Sequence, residues 1–264
     1  MAPARHLLIA SLAVLCATQA SASTAPTPAP EEQGSGDNGT DPTKMSRSIA
    51  LQHEHIALRG GGSTGSMKLS YAMPLGEGKN QSLRVRLPVN RVSPPGQGSH
   101  TGVGDAAIQL TRVFGLTSRH GYVAQGEWVF DTARRAELGS GRSVLKGTLV
   151  YVMFFEDGRI FAPAVVHSRS VAGGGDRPGV NTTAIDFYYV PKLQDNRTFV
   201  TLDPALSFDW EHRKHHPSLA VTVGRALGPA LGGSAQVFVK PSVFGGGERS
   251  ANWGLEVGFK VIGF

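Results

Sequence analysis

The sequence predicts an antiparallel β-barrel of about twelve strands that spans an outer membrane. Past residue 47, apolar and polar residues alternate with a period of two, the signature of strands with two unlike faces. No apolar run in that region approaches the roughly 20 residues of a membrane helix, so a membrane protein built from it must be a closed barrel. The connections between alternating segments also switch between short and long, as barrel turns and outer loops do.

The first residues read as an export signal over 1–22. Arg5 supplies the positive charge, Leu7 to Ala17 form a short apolar core, and Ala20-Ser21-Ala22 offers a small-x-small cleavage site. Val14 and Leu15 before Cys16 do not fit a lipidation site. Residues 23–46 are rich in Pro, Ser, Thr and Gly and lack apolar periodicity, which predicts a disordered linker. The barrel is expected over 47–264. Cys16 is the only cysteine, so a chain cleaved after residue 22 has none. That excludes a disulfide scaffold, a thiolate metal site and a thiol nucleophile. The net charge of +6 comes from scattered basic residues. Export removes nucleic acid as a partner, and outer-membrane lipids are the expected one.

The strands follow in order. A less regular one is expected over 48–58. Met67, Leu69, Tyr71 and Met73 hold one phase of the next, then Leu83, Val85, Leu87 and Val89 alternate with Arg84, Arg86 and Asn90. Ile108 and Leu110 alternate with Gln109 and Thr111. Tyr122, Ala124, Trp128 and Phe130 alternate with Gln125, Glu127 and Asp131. Strands at 149–155 and 159–171 come next. Ile185, Phe187 and Tyr189 then alternate with Asp186, Tyr188 and Lys192. Val200, Leu202, Leu206 and Phe208 alternate with Thr201, Asp203, Ser207 and Asp209. Leu219, Val221 and Val223 form the next, and Val237, Val239 and Val243 face away from Gln236, Lys240 and Ser242. Trp253, Leu255, Val257, Phe259 and Val261 close the series, alternating with Asn252, Glu256 and Lys260.

Three features turn the apolar phase outward, towards lipid. Short links (TSRHG, EDG, QDNR) alternate with longer ones such as TARRAELGSGRS, EHRKHHP and GGGERS. On that topology Trp128, Trp210 and Trp253 fall at the outer ends of their strands, where an interfacial girdle sits. Arg112 and Arg225, charges in the apolar phase, fall at the opposite ends, where they can reach the interface. Finally, the last strand ends at Phe264, a terminal aromatic that resembles the signal read by the barrel assembly machinery. Phe264 is out of phase with Val257, Phe259 and Val261, so either Gly263 bulges or the signal is degenerate. The polar phase then supplies the lumen candidates: Arg84, Arg86, Glu127, Asp131, Asp186, Lys192, Asp203, Asp209, Lys240 and Lys260. Trp128, Trp210, Trp253 and Phe264 are the expected lipid-interface anchors.

No catalytic residue, metal site or cofactor is assigned. His212, His215 and His216 have metal-like spacing, but Arg213 and Lys214 between them would repel a cation, so EHRKHHP reads as a solvated basic loop. His167 and Ser168 are adjacent on a strand and point to opposite faces, which excludes a direct base–nucleophile pair. Asp203, Asp209 and Glu211 could do acid–base work as paired carboxylates. Mixed lumen charges that pair across the barrel are the simpler reading. The Gly-rich segments lack the strand–helix context of a phosphate loop.

Several blocks carry a family resemblance. RLPVN (86–90) followed by TGVGDAAIQL (101–110) resembles the outer-membrane channel family associated with the meta-cleavage pathway of phenol degradation. ELGSGRS (137–143), RIFAPAVVHSRSVAG (159–173), IDFYYVPKL (185–193) and the closing WGLEVGFKVIGF are similar to its later blocks. Where the family carries an aromatic after the Gly-Ser-Gly block, this chain has Arg142 and Ser143. The resemblance implies a porin-like channel for small, often aromatic, solutes and brings no catalytic residues. An outer-membrane enzyme acting on lipid or protein, and a barrel with a structural or surface-interaction role, are the alternatives.

Overall fold

The structure is a computed structural model that describes residues 38–173 and 179–264. The expected signal peptide and the first part of the expected linker lie outside the described residues. The strands are β1 (Ser48–Leu58), β2 (Ser63–Leu75), β3 (Gln81–Ser93), β4 (His100–Val103), β5 (Ala107–Phe114), β6 (His120–Val129) and β7 (Ser143–Phe154). They continue as β8 (Ile160–Ala172), β9 (Asn181–Val190), β10 (Thr198–Asp209), β11 (Lys214–Ala230), β12 (Gly233–Phe244) and β13 (Ala251–Ile262). One 3-10 turn, Ala136–Leu138, precedes β7.

Each strand pairs antiparallel with its neighbours, and β1 pairs with β13 from Ser48↔Ile262 to Leu58↔Ala251. β4 pairs with the second half of β3 and β5 with the first half, so the two are one barrel strand broken at 104–106. The result is a closed barrel of twelve strands, as the sequence predicts. Closure satisfies the backbone without an open edge, which is what the hydrocarbon of a membrane demands. Proline marks the lapses in the ladder. The register skips at Pro163 between β7 and β8, at Pro204 between β9 and β10, and at Pro241 between β11 and β12. A residue without an N–H has nothing to donate there.

The outward phase is apolar and uncovered. Leu69, Leu87, Leu110, Leu149 and Val165 are all exposed, Leu149 at 64%. A belt of this size on a water-soluble protein would aggregate, whereas lipid covers it without cost. The inward phase is small or polar, with Ala72, Ala107, Thr111, Glu127 and Gln236 buried. The protein is therefore an outer-membrane barrel.

Both ends carry aromatic rings. Trp128 stacks on Phe130 at 6.1 Å and Phe208 on Trp210 at 5.7 Å at the end away from the termini, with Trp253 beside His55 at 5.4 Å. At the terminal end Phe114 stacks on Tyr122 at 5.6 Å, and Tyr122 meets Tyr151 at 5.2 Å. Arg112 and Arg225 are exposed near this second girdle. Phe264 joins it through Gly263, which adopts φ +78° and donates its N–H to Arg47 O at 2.8 Å. That left-handed residue turns the Phe264 ring back to the outer face, 6.4 Å from Tyr71.

Two expectations change. The loop-length rhythm is weaker than the sequence implied, because EHRKHHP is mostly strand: β11 starts at Lys214, paired with Asp209. A four-residue turn suffices there, since Asp209 Oδ1 accepts the N–H groups of Glu211 and His212, both at 3.1 Å. The expected linker, moreover, is ordered from residue 38 onward and belongs to the barrel's own compact unit.

Candidate functional site

The lumen is the site. Its wall is built from the inward phase, and its charges pair between strands. Glu127 on β6 accepts from Arg86 on β3 at 2.7 Å and from Lys146 on β7 at 2.9 Å. Lys240 on β12 meets Asp203 on β10 at 3.1 Å. Lys68 on β2 bonds to Glu54 on β1 and lies 3.7 Å from Glu256 on β13, which also accepts from Gln52 at 3.1 Å. Gln109 and Gln125 join β5 to β6 at 2.8 Å. No buried side-chain polar atom among the described residues lacks a partner, as a low-dielectric interior requires.

Residues 38–47 fill the terminal half of this lumen. The segment is folded on itself by two short side chains. Asn38 Oδ1 accepts from Thr40 N (3.1 Å) and Thr40 Oγ1 (2.7 Å), and Asp41 Oδ1 does the same for Thr43 (2.9 and 2.7 Å). Tyr188 on β9 donates its hydroxyl to Thr40 O at 2.9 Å. On the other side Gly39, at φ +68°, lies so close to β13 that an added Cβ would fall 2.9 Å from Ile262 Cδ1. Met45 packs onto Val113, Val123, Val152 and Ala162, an apolar patch on the inner faces of β5 to β8. Thr40 and Thr43 are buried to 7% and 8% exposure. Cavities of about 130, 190 and 210 Å³ flank the segment. The segment is seated by the Tyr188 hydrogen bond, the Met45 knob, close backbone contact at Gly39 and, at its end, the Gly263 N–H on Arg47 O.

A second inward element comes from the other end. The connection at 130–142 folds back over the mouth, and Asp105 pins it. Its Oδ1 accepts from Thr132 N (3.2 Å) and Ala133 N (3.1 Å), its Oδ2 from Ser140 N (2.7 Å) and Ser140 Oγ (3.0 Å). Asn90 Nδ2 donates to Leu138 O at 2.7 Å, and Leu138 is buried. The approach is too close for side chains. A Cβ on Gly104 would lie 2.2 Å from Asn90 Nδ2, and one on Gly139 2.5 Å from Asp105 Oδ1. The Gly-x-Gly-Asp and Leu-Gly-Ser segments, far apart in sequence, therefore interlock. A cavity of about 390 Å³ lies beneath, walled by Glu54, Lys68, Asn90 and Leu138 among others. Asp105→Ala strands the Ala133 and Ser140 N–H groups, while Thr132 N keeps Phe130 O and the Ser140 hydroxyl keeps Arg142 O, so the loop should loosen and, in a conducting barrel, the single-channel conductance should rise. An unchanged conductance would show that the loop does not narrow the path.

The structure distributes the lumen candidates unevenly. Arg84, Arg86, Glu127, Asp186, Asp203, Lys240 and Lys260 lie on inward strand positions. Lys192 sits in the connection after β9 and lines a terminal-end cavity. Asp131 and Asp209 depart from the expectation. Asp131 falls beyond β6, exposed in the connection, because the strand ends at Val129. Asp209 is at the rim, where turn capping and His212 Nδ1 at 2.7 Å occupy its carboxylate. Sequence reasoning missed Glu54, Lys68 and Lys146 because their strands were read from the apolar phase alone. Whether the segment before β1 enters the lumen is left open by the sequence, because its anchors are single residues without a period. His167 is exposed on the outer face, bonded to Thr183 Oγ1 at 3.0 Å, while Ser168 is buried inward. Asp203 and Asp209 answer to different partners, Lys240 and His212.

No protein-family model matches the chain, nor does any curated protein sequence. Among solved structures, the barrel is similar to an outer membrane channel from Pseudomonas putida F1, with TM-score 0.66 and 12% identity over 83% of this chain and 95% of that one. It is similar to the NanC porin, with TM-score 0.58 and 9% identity over 82% of this chain and 100% of that one. The β domain of the Bordetella autotransporter BrkA aligns at TM-score 0.50 and 10% identity, over 83% and 99%. At such identities the likeness is one of fold.

Proposed function

We propose that the protein is a channel that admits small solutes, aromatic ones among them, across the outer membrane, and that residues 38–47 stopper it between passages. The observation that carries this reading is the lumen: a wall of charged and amide side chains bordering cavities of about 210 and 390 Å³. Apolar side chains could fill such a lumen, so partly exposed charges bordering empty volume favour passage over a purely structural role. Tyr188, Phe199 and Phe238 line the 210 Å³ cavity, which supports an aromatic-bodied solute. Lipids at the two girdles and the barrel assembly machinery, addressed by the last strand and Phe264, complete the proposed partners.

Purified protein in planar bilayers tests the reading. Discrete conductance steps are expected, interrupted by closures as the stopper reseats. A silent bilayer, together with hydrolysis of lipid in the same preparation, would favour an enzyme instead.

A further inference from the structure

The lumen charges are sorted by wall. On β3, β6 and β7, Arg86 and Lys146 share the one carboxylate of Glu127. Arg84, two residues before Arg86, faces the same side and lines the neighbouring cavity with Gln125 and Thr111. That wall carries more positive charge than negative.

From β9 round to β2 the balance reverses. Lys240 meets Asp203, and Asp186 lies diagonal to Asp203, since its register partner on β10 is Ala205. Lys240 is also the register partner of Glu256, which shares Lys68 with Glu54. Four carboxylates in this band thus face two lysines. Lys260, nearer the terminal end in the same cavity as Arg84, is a third lysine of this wall and leaves it one carboxylate in excess.

Two walls of opposite excess charge, enclosed by low-dielectric surroundings, set up a field across the pore rather than along it. A singly charged solute is drawn to one wall and repelled by the other. A solute that carries both charges a few ångströms apart gains from both walls when it lies crosswise. We infer that the preferred solutes are small zwitterions, an ammonium and a carboxylate joined by a short chain. The carboxylate turns towards Arg84, Arg86 and Lys146, and the ammonium towards Asp186, Asp203 and Glu256. Because each cluster is partly self-neutralised, the hold is weak enough for the solute to leave, as conduction requires. This inference rests on the channel reading.

Swelling of proteoliposomes holding the full chain tests it, with γ-aminobutyric acid as the zwitterion and 4-hydroxybutanamide as an uncharged solute of similar size. The zwitterion should enter about fivefold faster, a modest share of what charged clefts achieve. The ratio should fall towards one in Arg84→Gln/Lys146→Gln, and also in Asp186→Asn/Asp203→Asn, which acts from the opposite wall. Heat-modifiable gel mobility confirms that each variant has folded. Equal entry of the two solutes into wild-type vesicles would overturn the inference while leaving the channel standing. A fivefold ratio that survives both variants would do the same. Entry of neither solute, with no salt current, would remove the channel reading and this inference together.

Discussion

Leu206→Arg is expected to destabilise the folded barrel by about 2 kcal/mol, the low end of the range for an arginine placed mid-bilayer on a barrel exterior. Leu206 lies in the second half of β10, between Ile185 on β9 and Pro217 on β11, in the outward phase of Leu202. An arginine there has no lumen to turn to, and the nearer girdle, at Phe208 and Trp210, gives it only partial relief. Ser207→Arg, one residue on, points into the lumen beside Ala184 and His216, where water and opposite charge are available. It should cost far less. Urea unfolding in lipid vesicles measures both, and equal damage from the two substitutions would reverse the assignment of faces.

The second large effect concerns the stopper. Met45→Lys puts an ammonium against Val113, Val123, Val152 and Ala162, beside a cavity already lined by Lys44, Arg84 and Lys260, whose one carboxylate, Asp41, is taken up by Thr43. Burying an unpaired ion costs several kcal/mol even after relaxation, and each 1.4 kcal/mol is a tenfold change in population. The seated form should therefore fall by at least about a hundredfold. The barrel itself should survive, because Met45 precedes β1 and takes no part in the ladder. In planar bilayers the variant should spend most of its time open. A variant that folds and shows wild-type closures would mean that the segment is not what closes the pore.

These effects depend on features that the sequence exposes to different degrees. The barrel is legible because each strand is an independent witness: Leu83, Val85 and Leu87 against Arg84 and Arg86 suffice for a two-faced strand, and the other strands repeat the test. The facing is legible because Trp128, Trp210 and Trp253 sort to one end and Arg112 and Arg225 to the other. The phase of Phe264 shows only that Gly263 bulges or that the terminal signal is degenerate; the left-handed turn at Gly263 comes from the structure. What pairs with what is not legible. The partner of Glu127 on β3 lies 41 residues away, and only the register of the closed sheet decides that Arg86 rather than Arg84 meets it. The hold of Asp105 on Ser140 spans 35 residues. The sequence shows the Gly-x-Gly-Asp block but not the loop that it receives. Residues 38–46 are the instructive case. A Pro/Gly/Thr-rich segment cannot build a core of its own, so composition predicts disorder. Here it borrows one, inserting Met45 into a patch supplied by four other strands.

The central claim, that the chain stoppers its own lumen, is tested most directly by locking the stopper in place. A side chain built at Gly121 on β6 would lie 3.4 Å from Thr43 Cγ2, within reach of a disulfide for which Cβ atoms stand about 3.5–4.5 Å apart. The only native cysteine, Cys16, falls in the expected signal peptide. Thr43→Cys with Gly121→Cys should therefore form a single, reversible latch. In planar bilayers the oxidised protein should be silent, and reductant added to the same membrane should restore stepwise current. Equal current before and after reduction, with the cross-link verified, would contradict the account.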